Sequence, residues 1–115
     1  MSILKRLSNW FSRQGRDDNR LQIGMDHAHA KRPAEAIAVY DSIVDAKGGS
    51  PSLRAMALFN RALAHSSLKN DGQAIEDLEE VVSLPGAPEN VLSAARNQLV
   101  RVRNRVQRVK DKSKA

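Results

Sequence analysis

The residues able to do chemistry are few and scattered. Three histidines, His27, His29 and His65, are the only side chains whose ordinary pKa lies near neutrality. A metal centre needs three or four ligands, and Asp26 is the one carboxylate next to His27. Ser66 and Ser67 follow His65, but neighbouring residues on a helix do not face each other. The chain has no Thr, no Cys and no Gly-x-Ser-x-Gly turn, and Gly48-Gly49 lacks the Lys and Ser/Thr of a phosphate loop. Carboxylates gather at Glu76, Asp77, Glu79 and Glu80, where they read as the solvated face of a helix. The sequence therefore predicts no enzyme, no catalytic residue, no metal and no cofactor.

Recognition must then come from shape and charge. At 115 residues the chain makes one domain at most. Its apolar residues are mainly Ala, Leu, Val and Ile, a mix that suits closely packed helices. The absence of cysteine fits a reducing compartment such as the cytoplasm. The net charge of +6 is unevenly placed. Residues 1–20 carry five basic and two acidic groups, residues 21–88 six and nine, and residues 89–115 eight and two. The middle is slightly acidic and both ends are cationic, so electrostatic partners belong at the ends.

The elements that would position these groups follow from periodicity. Leu21, Ile23, Gly24, Met25, Ala28 and Ala30 suit a first short helix. Pro33, tolerated in a first helical turn, opens a second, with Ala36, Ile37, Tyr40, Ile43 and Val44 on one face. "KGGSP" ends it. Residues 52–68 make a third helix, "KNDG" a turn, and residues 73–84 a fourth, with Ala74, Ile75, Leu78, Val81 and Val82 aligned. "PGAP" stops that one. A fifth and longest helix covers 89–109, and the charged residues 110–115 are expected to fray as a tail.

The second and fourth helices superpose residue for residue. Ala36 falls on Ala74, Ile37 on Ile75, Tyr40 on Leu78 and Ile43 on Val81, an offset of 38 residues. Twelve residues earlier, Gly24 falls on Ala62; His27 falls on His65. Helix pairs repeating at this spacing indicate a solenoid. The pattern resembles the tetratricopeptide repeat family, carried by Gly24, His27, Ala36, Tyr40 and Ile43 in a repeat at about 17–50. A second repeat at about 55–88 supplies Ala62, His65, Ala74, Leu78, Val81 and Pro85. His stands twice where Tyr is usual, and Ile43 and Val81 replace Ala. The resemblance covers about residues 17–88 and implies an all-α solenoid of two helix pairs, with the last helix as cap of a domain over 17–109; the residues before it, 1–16, read separately as an N-terminal amphipathic basic helix.

The resemblance also implies a use: a protein-interaction adaptor whose first helices line a concave face that receives a peptide or helix. The inward positions carried over are Leu21, Met25 and His29, with Met56, Phe59, Asn60, Leu63 and Ser67. Asn60 stands where some members hold a peptide backbone or carboxylate, but Leu21 and Met25 are not the Lys and Asn such a clamp needs. The alternative is that these residues are core against a neighbouring helix.

Two further surfaces stand out. In the fifth helix Leu92, Ala95, Leu99, Val102, Val106 and Val109 follow the 3,4 spacing of a heptad seam. Arg96, Arg101, Arg103, Arg105, Arg108 and Lys110 surround it. This basic patch reads as a solvated cap face, a coiled-coil arm, or a contact for an acidic protein or nucleic acid; no aromatic is present to stack on bases. At the N-terminus, Ile3, Leu4, Leu7, Trp10 and Phe11 fall within about 120° of a helix while Lys5, Arg6 and Arg13 lie outside it. Contacts through Leu4, Leu7, Trp10 and Phe11 would meet an anionic membrane surface, a partner, or the first helix pair, and the Arg-rich, acid-poor segment also resembles an organelle presequence. Partner identity and oligomeric state are not encoded legibly. The membrane reading predicts that the protein sediments with anionic vesicles and that Trp10→Glu stays in the supernatant; equal pelleting of the two excludes it.

Overall fold

In the computed structural model residues 19–114 are described, and among them are five helices and no strand. The N-terminal amphipathic segment and its contact residues lie outside this range. Helix α1 covers 19–29, α2 Pro33–Val44, α3 Pro51–Ser67, α4 Asp71–Ser83 and α5 Glu89–Lys114. Consecutive helices pack on one another from α2 to α5, and α3 also touches α5.

The helix boundaries have local causes. Pro33 and Pro51 each occupy a first turn, where a missing N–H leaves nothing unpaired. Ser50 caps α3, its hydroxyl oxygen accepting from the Leu53 N–H at 3.1 Å. Two ends share one unusual device. Lys31 and Lys69 both adopt the left-handed conformation, at φ 61° and 62°. In each turn the next residue's N–H reaches back to a histidine carbonyl, Arg32 to His27 and Asn70 to His65, both at 2.8 Å. This is the Schellman pattern, which satisfies carbonyls left over at a helix end. A side chain in that conformation costs about 1–2 kcal/mol, so the closing hydrogen bonds must offset it. The 38-residue offset seen in the side chains thus recurs in the backbone.

The core is built from the aligned positions. Ala36, Tyr40 and Ile43 are buried on α2, and Ala74, Leu78 and Val81 on α4. Leu53, Leu58 and Ala62 of α3 lie among them, and Val91, Ala95, Leu99 and Val102 of α5 close the far side. Full burial of a side chain such as Leu58 or Leu78 contributes about 1.5–3 kcal/mol. Small residues set the helix spacing. A Cβ on Gly24 would stand 2.9 Å from Tyr40 Cδ1, so the Tyr40 ring lies flush on the α1 backbone and only glycine fits there.

Three expectations need correction. Helix α5 does not fray after residue 109; it runs to Lys114, because no glycine or proline interrupts it and Gln107 hydrogen-bonds Asp111 one turn on at 3.1 Å. Helix α4 starts at Asp71 rather than residue 73; a carboxylate in the first turn is favoured by the helix dipole. The acidic cluster of α4 is not uniformly solvated. Glu76, Glu79 and Glu80 are exposed, but Asp77 is only 7% exposed. It lies on the buried side, between Ala74 and Leu78, opposite Arg61 of α3.

Arg61 joins three helices. Its Nε and Nη2 donate to Asp77 at 2.9 and 2.8 Å, and its Nη1 donates to Asp41 of α2 at 2.9 Å. The two carboxylates hold the guanidinium proton well above its usual range, Asp77 contributing most. Elsewhere α5 is tied to α4 by Arg103–Glu79 and Arg105–Asp71, each 2.7 Å. The first pair is surface-exposed and contributes about 0–1 kcal/mol; in the second, Asp71 is half-buried. Removing one partner of a desolvated pair costs far more, because a buried charge is left alone. Asp77→Ala is therefore expected to lower unfolding free energy in urea by about 3 kcal/mol, while Asp41→Ala, at a half-exposed carboxylate, costs under about 1 kcal/mol.

Candidate binding cleft

An apolar cleft of about 450 Å³ opens between α1 and α3. Met25, Ala28 and His29 of α1 form one wall, and Asn60, Leu63, Ala64 and Ser67 of α3 the other. Lys31 and Pro33, from the turn between α1 and α2, sit at its end, and Tyr40 contributes the α2 side. Among the described residues no Asp or Glu lines it. The turn geometry explains the placement: the left-handed Lys31 folds α2 back along α1 and carries Lys31 to the rim.

The expected inward residues divide into two groups. Met25, His29, Asn60, Leu63 and Ser67 line the cleft together. Leu21 is buried in the core, at 8% exposure, and Met56 and Phe59 are half-buried against that core. The difference is one of position along the helices: the cleft is lined by residues 25–29 of α1 and 60–67 of α3, and Leu21, Met56 and Phe59 precede those stretches, where the packed layers cover them. Asn60 does not present its amide freely: Nδ2 donates to the Met56 carbonyl at 2.8 Å. The Ser67 hydroxyl likewise donates to the Ala64 carbonyl at 2.7 Å. Leu63, 37% exposed, is the largest accessible apolar side chain of the α3 wall.

Sequence reasoning missed Ala28, Lys31, Pro33, Tyr40 and Ala64 as cleft residues. Tyr40 was legible as core and is fully buried. Its hydroxyl, however, has no hydrogen-bond partner. Burial pushes its pKa up to about 12. A buried hydroxyl without a partner forfeits about 1–3 kcal/mol, which the packing of the ring must offset. Nothing in the sequence marks Lys31 as left-handed.

The other candidate residues lie elsewhere. His27 is half-buried and His65 has a buried Nδ1 without a partner. Among the described residues no group of three His, Cys, Asp or Glu side chains comes together to hold a metal. The basic patch is partly spent within the chain: Arg103 and Arg105 hold Glu79 and Asp71, and Arg96 stands 3.8 Å from Glu89. The Arg105 contact holds the Asp71 carboxyl below its usual range. Arg101, Arg108 and Lys110 are exposed on α5. Among the described residues no helix is long and apolar enough to cross a membrane. No family model matches the chain, and neither the curated proteins nor the solved structures provide a significant match.

The Tyr40 hydroxyl gives a pH signature. It stays protonated in the fold up to about pH 12, whereas in the unfolded chain it ionises near its ordinary value of about 10. Its contribution is present in full below about pH 10 and is lost as pH rises toward 12. Tyr40→Phe is expected to match or exceed wild-type stability at pH 7 and to unfold less steeply across this alkaline window, followed by circular dichroism.

Proposed function

We propose that this protein is a non-catalytic interaction module that captures a peptide or amphipathic helix in the α1/α3 cleft. The observation that carries the reading is the cleft itself: about 450 Å³, walled by Met25, Ala28, Leu63 and Ala64, and without an acidic residue among the described residues. Apolar side chains of an incoming segment fill such a space, and the flexible thioether of Met25 adapts to their shape. The segment's polar backbone meets the Lys31 cation at the rim. No titratable group in the cleft is paired for proton transfer, which favours binding over turnover.

The finer architecture belongs to the same proposal. The helices are read as two tetratricopeptide-like pairs, α1/α2 and α3/α4, capped by α5. Support comes from the neighbour-to-neighbour packing, from the aligned buried residues of α2 and α4, and from the matching turns at Lys31 and Lys69. In such a stack the first helix of each pair faces the cleft, which accords with α1 and α3 forming its walls.

Leu63 is the residue to change, because Phe59 packs against the core and does not line the cleft. Peptides selected from a displayed random library against the full chain are expected to lose at least about tenfold in affinity on Leu63→Glu, with an unchanged thermal midpoint. Failure to select any peptide, or equal binding to the variant, would remove the reading.

A further inference from the structure

The C-terminal third of α5 repeats a pattern that the body of the protein already uses. Around Val102, which is fully buried, the seam of α5 meets α4 with a cation on each flank. Arg105 on one side grips Asp71 at 2.7 Å, and Arg103 on the other grips Glu79 at 2.7 Å. The rule of this contact is an apolar seam bordered by cations, matched by a helix with an acid beside its apolar face, Glu79, and another at the N-terminal end of that face, Asp71.

The same rule continues where α4 is absent. Val106 is half-buried, Val109 is 62% exposed, and residues 107–114 are exposed throughout. These eight residues extend about 12 Å past the body. On the helical wheel Val106 and Val109 stay within about 60° of one another, in line with Val102. Arg108 and Lys112 fall on the Arg105 flank, and Lys110 and Lys114 on the Arg103 flank. Among the described residues none of these four cations has an ion-pair partner. Asp111, the one acid of this stretch, is turned to the opposite side, where it accepts from Gln107.

We propose that this end of α5 is a docking surface for a partner helix that carries an apolar seam flanked by acidic residues. Charge selects the occupant. A second copy of α5 would place like charges on both flanks, a repulsion that specifies against self-pairing. Residues 2–16 of this chain are basic, with no acid before Asp17, so they are repelled as well. A nucleic acid would use the cations but has no use for Val109. The seam asks for apolar side chains and both flanks ask for carboxylates, as α4 supplies them one turn earlier. This surface is separate from the α1/α3 cleft, and its test does not depend on that cleft.

Fluorescence anisotropy on the full chain tests the proposal with four defined probes. One is a helical peptide with a leucine seam and glutamate flanks. The second keeps the glutamates and replaces the leucines by serine. The third keeps the leucines and reverses the flanks to lysine. The fourth is an oligonucleotide of the same negative charge as the first. In about 0.15 M salt the first is expected to bind at least about tenfold tighter than each of the others. Val109→Asp, and separately Arg108→Glu with Lys112→Glu, should each erase that advantage. All three positions are exposed, so the thermal midpoint should stay put and report that the fold is intact. A serine-seam peptide or oligonucleotide binding within about tenfold of the first peptide overturns the proposal in favour of a general polyanion site. Unchanged affinity in Val109→Asp, or a wild-type dimer that Val109→Asp dissolves, overturns it too.

Discussion

The Arg61 guanidinium meets Asp77 through two parallel hydrogen bonds at 2.8 and 2.9 Å and Asp41 through a third at 2.9 Å. One side chain of α3 thereby fixes the positions of α2 and α4. The geometry matters more than the count. Arginine presents a rigid planar fork that matches a carboxylate, so the contact sets distance and rotation together. Apolar packing alone sets neither sharply, because Ala-rich faces slide past one another at little cost. Desolvating two charges is itself expensive. The arrangement is therefore best understood as fixing which packing forms, with net stability coming from the buried aliphatic layers on either side.

The cleft follows from that arrangement. With α3 held by Arg61 toward α2 and α4, its opposite face, carrying Asn60, Leu63 and Ser67, is left toward α1. Helix α1 is placed from the other direction. Gly24 lets it settle onto the Tyr40 ring, and the left-handed Lys31 returns the chain into α2. Two close approaches, α1 on α2 and α3 on α2, thus leave the cleft between α1 and α3. The unpartnered hydroxyl at Tyr40 is a consequence of the same crowding, since the ring is pinned against the α1 backbone and wholly buried.

Much of this was legible in the sequence, for identifiable reasons. Periodicity gave all five helices because Ala, Leu and Val recur at helical spacing and Gly and Pro punctuate the joints. The alignment of α2 with α4 was readable because both bury the same register, Ala36 with Ala74 and Tyr40 with Leu78. What escaped depends on position along the helices and on tertiary partners. Asp77 reads as one more surface acid until Arg61 is seen opposite it, sixteen residues away in the chain. Leu21 lies one turn before Met25 and Phe59 one turn before Leu63, and spacing alone does not say where along two neighbouring helices a gap opens. The left-handed lysines left no trace in composition, since nothing but the closing hydrogen bonds marks them. The tail beyond residue 109 reads as frayed because charge was weighed above the absence of any helix breaker.

The account stands or falls on whether the α1/α3 cleft is where a partner sits. Site-specific photocrosslinking answers that directly. A benzophenone amino acid placed at position 63, in the cleft wall, is compared with the same group at Val100, an exposed position on the distant face of α5. Both proteins are irradiated in cells that naturally produce this chain. A discrete adduct formed from position 63, absent from position 100 and suppressed by Met25→Glu, is the result expected. Equal labelling from both positions, or adducts only from position 100, would contradict the assignment of the cleft as the site of capture.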